Sequence, residues 1–547
     1  MQLSVKLILG GAAMLGATVL VGFLGFQPLV NVVVKDQTSL RKRNQMRKLY
    51  LNIPFPLDTR IYFFNVTNPM EVQNGSKPIL QEVGPYCYDE HKNKINVADN
   101  DAEDSLRYDA FDVYRFNKNR SGNLSDEDYV TIIHPLLVGM VNRVASDSPA
   151  LLSILNQAFE TIFKNPQSIY LTDKVKNILF DGMELNCEGA DFAAKAVCTQ
   201  LKSLVPGIKE KPTNKNVLLY SLIGPRNATV ASTIKVLRGT RNYKDIGRVL
   251  EVDGKKQITL WGSDFCNRFR GTDGWIIPPL LDPADGIQSY TPHLCRNIDL
   301  KFVKDDVIKK IQVRRYETTL GDQTNNTLDK CYCSPKRCLK KGVFDLTKCV
   351  GAPIMATLPH FLETDQSYLS QVDGLHPNWE DHILNINIEP MTSAPLDIKI
   401  RIQMNLEIGP QPKISVMKNL PVALHPIFWL EDGLELEGEL YEKIANIFVL
   451  LKMAQILRWT FIVVSIAIIA YGYYLIMKNR KSVKITPVHS ASSYDSYDNE
   501  AFNNRSTNAI ISQLKTEMNY PKNYRNVSNN NTNNNNVGGG HEFDRYS

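Results

Sequence analysis

Residues 7–26 contain no charged side chain, and the uncharged stretch runs on to Val34. Residues 459–477 are likewise free of charge and end at Lys478, Arg480 and Lys481. A helix that crosses a bilayer needs about 20 predominantly apolar residues, and both stretches fit. Between them the pattern is that of a folded α+β domain. Leu384-Asn385-Ile386-Asn387-Ile388 alternates apolar with polar, and residues 398–408 do so over a longer stretch. Strict period-2 alternation places one face in a core and the other toward water or a lumen. Strands are also predicted at 60–66, 217–222, 234–237, 257–261 and 311–316. Helical spacing concentrates between 126 and 183. Leu136, Leu137, Met140 and Val141 share one stripe. Leu152, Leu155, Phe159 and Ile162 share another, in a helix predicted over 149–164 between Pro149 and Pro166.

The first apolar run is longer than the 7–15 residues of a signal-peptide core, so it reads as a retained anchor. Two spans put both termini on one side of the membrane. The basic cluster after the second span points to a cytoplasmic C-terminus. The cluster Arg41, Lys42, Arg43, Arg47 and Lys48 argues the other way, but large domains translocate largely regardless of nearby charge. The expected organisation is a cytoplasmic N-terminus (1–6), a first span (7–27), an extracellular domain (28–458), a second span (459–477) and a cytoplasmic tail (478–547). Small residues recur at four-residue spacing in the first span (Ala12 and Gly16, Ala13 and Ala17), a face that lets another helix approach closely. The partner is either the second span or another protein. The tail is rich in Asn, Ser and Tyr and poor in large aliphatic residues, so it reads as disordered.

Composition narrows the class. The net charge of +6 is small for 547 residues, without the clustered basic face of a nucleic-acid binder. All nine cysteines lie between the spans, which points to an oxidising compartment. Six N-glycosylation triplets lie there too, at Asn65, Asn74, Asn119, Asn123, Asn227 and Asn325. The cluster Cys331, Cys333, Cys338 and Cys349 therefore reads as disulfides rather than zinc ligands, with spacing alone leaving the pairing open. No phosphate loop, dinucleotide fingerprint, His-Glu-x-x-His or Gly-x-Ser-x-Gly motif is present in the sequence. His376 and His382 flank Glu380 and Asp381 without a zinc spacing, and read as exposed loop histidines. No enzyme, metal or cofactor is expected.

Blocks along residues 1–480 resemble the class B scavenger receptors, a family that includes the fatty acid translocase. They are Asn65-Val66-Thr67-Asn68-Pro69, Gly84-Pro85-Tyr86, Gly271-Thr272-Asp273 before Pro278-Pro279, and Cys331-Tyr332-Cys333. Further blocks are residues 342–349, Leu358-Pro359-His360-Phe361, Asp373-Gly374-Leu375 and Ile388-Glu389-Pro390. Residues 238–248, 253–255 and 339–342 are most similar to the branch of insect sensory neuron membrane proteins, the first subtype.

The resemblance implies an antiparallel β-barrel core, a hydrophobic tunnel and an apical helical bundle. It implies disulfides Cys266–Cys331, Cys295–Cys349 and Cys333–Cys338. It says nothing firm of Cys187, Cys198 and Cys87; the first two are the candidate fourth pair. Lys164 resembles the family's apical lysine near the ligand entrance, where a cation would hold a lipid head while Phe163 and Phe159 receive the chain. The alternative for Lys164 is a solvated helix-terminal cation. Three departures stand out. Val350 and Gly351 replace an acidic residue often found after the last cysteine, which weakens a lysine–carboxylate capture scheme. Arg270 removes a sequon before Gly271, and no cysteine flanks either span.

The function implied is an olfactory accessory receptor in sensory neuron dendrites. It would bind hydrophobic, fatty-acid-derived pheromones, with or without an odorant-binding protein, and pass them to an odorant receptor and its co-receptor. The rival readings are a general scavenger or lipoprotein receptor taking up lipid, sterol or carotenoid, and an adhesion glycoprotein.

Overall fold

The computed structural model describes residues 2–481 apart from 190, 335 and 336. The predicted disordered tail lies outside the described residues from 482 onward. Among the described residues two helices are long and apolar enough to cross a membrane. The N-terminal one runs Gln2–Val19, passes through a π turn at Leu20–Gly25 and continues as Phe26–Thr38. The C-terminal one is Gly438–Lys481.

These helices pack on each other through glycines. A Cβ added to Gly11 would lie 2.8 Å from Ile469, and one added to Gly472 would lie 2.8 Å from Ile8. At Gly22 the neighbour is the Arg458 side chain, whose Nη1 donates to the Gly22 carbonyl at 3.0 Å. The Arg458 guanidinium lies 4.1 Å over the Phe23 ring. The first span therefore does have the second as partner. The contact uses Gly11 and Gly22, whereas Ala12, Ala13, Gly16 and Ala17 face outward.

The core between the helices is a thirteen-stranded antiparallel sheet. Its main strands are β1 (Leu57–Val66), β2 (Leu80–Asn100), β3 (Ser105–Phe116), β4 (Thr229–Leu237), β5 (Val249–Val252), β6 (Ile287–Thr291), β7 (Arg296–Ile308), β8 (Ile311–Thr318), β9 (Leu384–Ile388), β10 (Pro395–Ile408) and β11 (Ala423–Glu435). They lie in the order β5-β4-β3-β2-β1-β11-β10-β9-β8-β7-β6. Two short strands, Phe344–Asp345 and Ile354–Thr357, attach through β10.

The two ends of this order are joined by one residue. Thr272 bridges Arg248 beside β5 and also Ser289 in β6, nearly closing the sheet into a barrel. The Thr272 amide donates to the Gln288 carbonyl and its carbonyl accepts from the Tyr290 amide. Gly271 approaches so closely that an added Cβ would lie 2.0 Å from the Gln288 oxygen, and its φ of +73° suits glycine. Asp273 accepts hydrogen bonds from the Tyr50 and Tyr108 hydroxyls at 2.5 and 2.6 Å. The Gly-Thr-Asp block is thus the clasp of the barrel.

On β10 the alternation is present, but the polar face does not look onto water or a lumen. Arg401, Gln403 and Asn405 are buried. Asn405 donates to the Met355 carbonyl and to Thr357, Gln403 donates to Asn405, and Arg401 holds Glu431 and the carbonyls of Glu380 and Ile383. Partners from the adjoining strand Ile354–Thr357 and from Glu380 and Ile383 thus satisfy these buried polar groups.

The strand predicted at 257–261 is absent. Gln257 makes a single bridge to Arg268, and the Asn267 side chain occupies both backbone groups of Trp261. A side chain has taken the place of a neighbouring strand. The strand predicted at 217–222 belongs to Asn214–Tyr220 in a separate three-stranded sheet. Arg47, counted in the basic cluster, is buried and holds Asp99 through two bonds of 2.8 and 2.9 Å.

Candidate ligand-capture site

Helix Pro135–Asp147 buries Leu136, Leu137 and Val141, and helix Leu152–Ile162 buries Leu155, Phe159 and Ile162. The second is shorter than the 149–164 predicted. Pro149–Leu151 is a 3-10 turn, and the α-helix stops at Ile162. Lys164 and Asn165 both take positive φ, +54° and +56°, and swing the chain toward strand Tyr170–Lys174. Lys164 is therefore past the helix, not in its last turn.

That swing leaves a pocket of about 200 Å³ whose lining includes His134, Leu137, Phe163, Lys164, Tyr170 and Glu184. Lys164 is exposed and has no ion-pair partner among the described residues. Glu184 is held by Lys211 at 2.5 Å. Phe163 is half-buried and meets His134 edge-on, with ring centroids 4.7 Å apart. Phe159 lies in the core and is not part of the lining; it supports Phe163 from behind at 5.1 Å. Of the predicted trio, the structure brings Lys164 and Phe163 to the pocket and puts Phe159 one layer deeper.

His134 was not singled out in the sequence. It caps helix Pro135–Asp147, its Nδ1 accepting from the Leu137 amide, and burial pushes its pKa down to about 4. Its position directly before Pro135 was the available signal, because caps precede a first-turn proline. The site thus offers a cation without an ion-pair partner among the described residues, above a mixed recess in which Leu137, Phe163 and Tyr170 stand beside the paired Glu184. An amphiphile with an anionic or hydrogen-bond-accepting head matches that pattern. The volume falls below the roughly 300–1,000 Å³ of pockets that enclose a whole small ligand, so it suits a head or a short stretch of chain.

The inward face of the barrel is mixed. Glu90 accepts from Thr59, and Lys92 lies between Glu90 and Asp432 at 2.9 and 3.0 Å. Burial, then the Glu90 charge, pushes Asp432 up to about 7. His293 is strongly desolvated, with its pKa pushed down to about 3 by burial and then by Arg226, yet it keeps a large accessible surface. Arg226 combines the same two properties.

Four disulfides join Cys187–Cys198, Cys266–Cys331, Cys295–Cys349 and Cys333–Cys338, and Cys87 is free and buried. The sequon residues Asn74, Asn119, Asn123 and Asn325 are exposed, while Asn65 and Asn227 are half-buried. His382 is not the exposed loop histidine expected: it is 7 % exposed, stacked on His360 at 4.3 Å, whereas His376 is exposed. Among the described residues no group of three or more His, Cys, Asp or Glu is placed to hold a metal ion.

Comparison with known proteins assigns this architecture. The model of the CD36 family matches residues 8–476. The chain belongs to the CD36 family. Its CD36-type ectodomain and paired apolar helices are those of a membrane receptor. Relatives include sensory neuron membrane protein 1 of Apis mellifera, 41% identical over 482 residues, covering 88% of this chain and 92% of that protein. The protein of the same name from Manduca sexta is 37% identical over 456 residues, covering 82% and 86%. That of Heliothis virescens is 38% identical over 463 residues, covering 84% and 88%.

Proposed function

We propose that this CD36-family receptor is an olfactory accessory protein that binds hydrophobic, fatty-acid-derived pheromones and hands them to an odorant receptor and its co-receptor in the sensory dendrite. The observation that carries this reading is the near full-length similarity to proteins named for sensory neuron membranes, combined with an unpaired Lys164 beside Phe163, Leu137 and Tyr170 in one recess. In this reading residues 28–458 are extracellular, spans 7–27 and 459–477 anchor them, and both termini are cytoplasmic. The six sequons carry glycans, and an odorant-binding protein is a candidate donor.

The mechanism needs no catalytic residue. Lys164 holds the polar head, and Phe163 receives the first part of the chain. In this reading the chain then passes through the barrel toward the membrane. Each methylene moved from water into an apolar conduit contributes about 0.8 kcal/mol, so long chains partition strongly. Delivery along a continuous apolar path also spares the ligand re-entry into water.

The test is electrical. A pheromone receptor and its co-receptor are expressed with and without this protein, and responses to a long-chain acetate are recorded. Faster onset or a lower threshold with the protein, reduced by Lys164→Gln, supports delivery. Unchanged responses across several ligands, with surface expression verified, would favour a scavenger role and lead to lipid-uptake assays.

A further inference from the structure

A second and larger cavity, about 630 Å³, lies on the other face of the sheet, away from the Glu90 and Lys92 group. Its floor is a hydrogen-bonded array. Glu82 Oε2 accepts from Trp429 Nε1 at 2.7 Å and from His360 Nε2 at 2.5 Å. His360 Nδ1 in turn accepts from the His376 amide at 3.0 Å. The His360 ring stacks on that of His382, with an interplanar angle of 12°.

The hydrogen bonds fix proton positions. His382 Nδ1 accepts from the Asn378 amide at 2.9 Å, so its ring proton is on Nε2. That Nε2–H has no partner among the described residues, although His382 is 7 % exposed and lines the cavity. Burial, then the neighbouring His360, pushes the His382 pKa down to about 4, which keeps the ring neutral at pH 7. Glu82 Oε1 is also without a partner among the described residues, and the exposed Asp381 stands at the same rim. Leu80, Gly374 and Pro377 supply apolar wall between these groups.

This inventory selects a ligand class. A metal ion is not served: the Asn378 bond leaves a proton on His382 Nε2, and among the described residues no group of three or more His, Cys, Asp or Glu, the exposed His376 included, is placed to hold one. An ammonium group would satisfy the carboxylates but leave the His382 donor facing a cation. A carboxylate would accept from His382 but face Glu82 and Asp381. A hydroxyl both donates and accepts, and several are needed to meet donor and acceptors on different sides of one cavity. We propose that the cavity bounded by Glu82, Asp381 and His382 is a binding site for a neutral polyhydroxylated ligand, a hexose or the terminal hexose of a glycan. Vicinal hydroxyls would donate to Glu82 Oε1 and Asp381 and accept from His382 Nε2–H, with a C–H face of the ring on Pro377 and Leu80. The site does not depend on the lipid-delivery reading.

The test uses the full chain in lipid nanodiscs after enzymatic removal of its own glycans. Saturation-transfer NMR and calorimetry are run with mannose, glucose and galactose, with a mannose-terminated glycoprotein, and with ethylammonium and acetate as charged probes. One sugar is expected to bind in the millimolar range and compete with the others. Asp381→Asn, an exposed substitution, and Glu82→Gln, which keeps an oxygen for Trp429 and His360 while turning Oε1 into a donor, should each weaken it about tenfold, the cost of one charge-assisted hydrogen bond. Binding of the glycoprotein beside the free sugar would make the source a partner's glycan; binding of free sugar alone would make it a soluble one. Either result carries the proposal. No binding of any sugar to folded protein, equal binding by both variants, or preference for ethylammonium or acetate would overturn it.

Discussion

Lys164, the proposed holder of the ligand head, stands on an unfavourable backbone. Its φ of +54° is one that a residue with a Cβ adopts at a cost of about 1 kcal/mol, and Asn165 follows in the same region. Among the described residues no ion pair holds its amine, so the side chain contributes little to folding. Two substitutions separate these properties. Lys164→Gly removes the cation and relieves the strain; its melting temperature should equal or slightly exceed that of the parent. Lys164→Gln keeps the strain and loses the charge, and should melt within about 0.5 kcal/mol of the parent, as surface changes usually do. Both should lower ligand capture to the same extent in a fluorescent fatty-acid titration. Unequal loss would mean that the backbone turn, not the charge, recruits the ligand. Phe159 belongs to another class. It is buried, so Phe159→Ala should cost about 3–5 kcal/mol, and any lost binding would follow lost structure.

At the scale of elements, the clasp at Gly271-Thr272 is the most exacting piece of backbone. Gly271→Ala places a methyl group into the Gln288 carbonyl, and no side-chain motion relieves a contact with backbone. The expected result is a loss of about 3 kcal/mol or more, seen as failure to reach the cell surface or a sharply lower melting point. Arg270→Ala next door, on a side chain whose partner Asp299 is largely exposed, should cost less than about 1 kcal/mol.

The strands that alternate strictly, β9 and β10, were legible because period two is a local property. The helix stripes were legible for the same reason. What could not be read was the second layer on β10, since a buried Arg401 or Asn405 looks like a solvent-facing one until its partners are brought from residues 354–383. The strand predicted at 257–261 failed for another reason: the Asn267 side chain, six residues beyond Trp261, takes the backbone groups that a neighbouring strand would use. The ligand-capture pocket was half legible. Lys164 and Phe163 came from resemblance, whereas His134, Tyr170 and Glu184 are brought together only by the left-handed turn. His382 was misjudged because loop composition says nothing of what covers the loop.

For the whole molecule, buried histidines set the response to acid. Burial holds His134, His382 and His425 near 4 and His293 near 3, all below the ordinary histidine value. The unfolded chain binds these protons first, so stability is present above about pH 6.5 and falls as pH drops toward 4. A fully buried histidine such as His425, whose ring bridges Tyr170 and the Pro426 carbonyl, contributes up to about 3 kcal/mol of that loss. Asp432 acts in the opposite direction: its raised pKa favours the fold as pH falls through about 7. Burial also raises Asp112 and Asp126, which act in the same direction as Asp432; the fully buried His134 and His425 outweigh them, so the melting temperature of the full chain should fall between pH 7 and 5, and His425→Gln should flatten the slope. A flat profile over that range would show that the rings become protonated without leaving their sites.

The two long helices also set a height. At 1.5 Å per residue, the 37 residues of the first measure about 55 Å, against a hydrocarbon thickness of about 30 Å. With the spans placed at 7–27 and 459–477, the turns at 28–38 and 438–458 project on the barrel's side, roughly 16 and 31 Å of helix. These turns are greasy on the outside, with Leu29, Val32, Val33, Ile447, Leu450, Met453 and Ile456 all exposed. The barrel would then stand on an oily two-legged pedestal, and a lipid leaving its foot would have a slide into the bilayer rather than a drop through water.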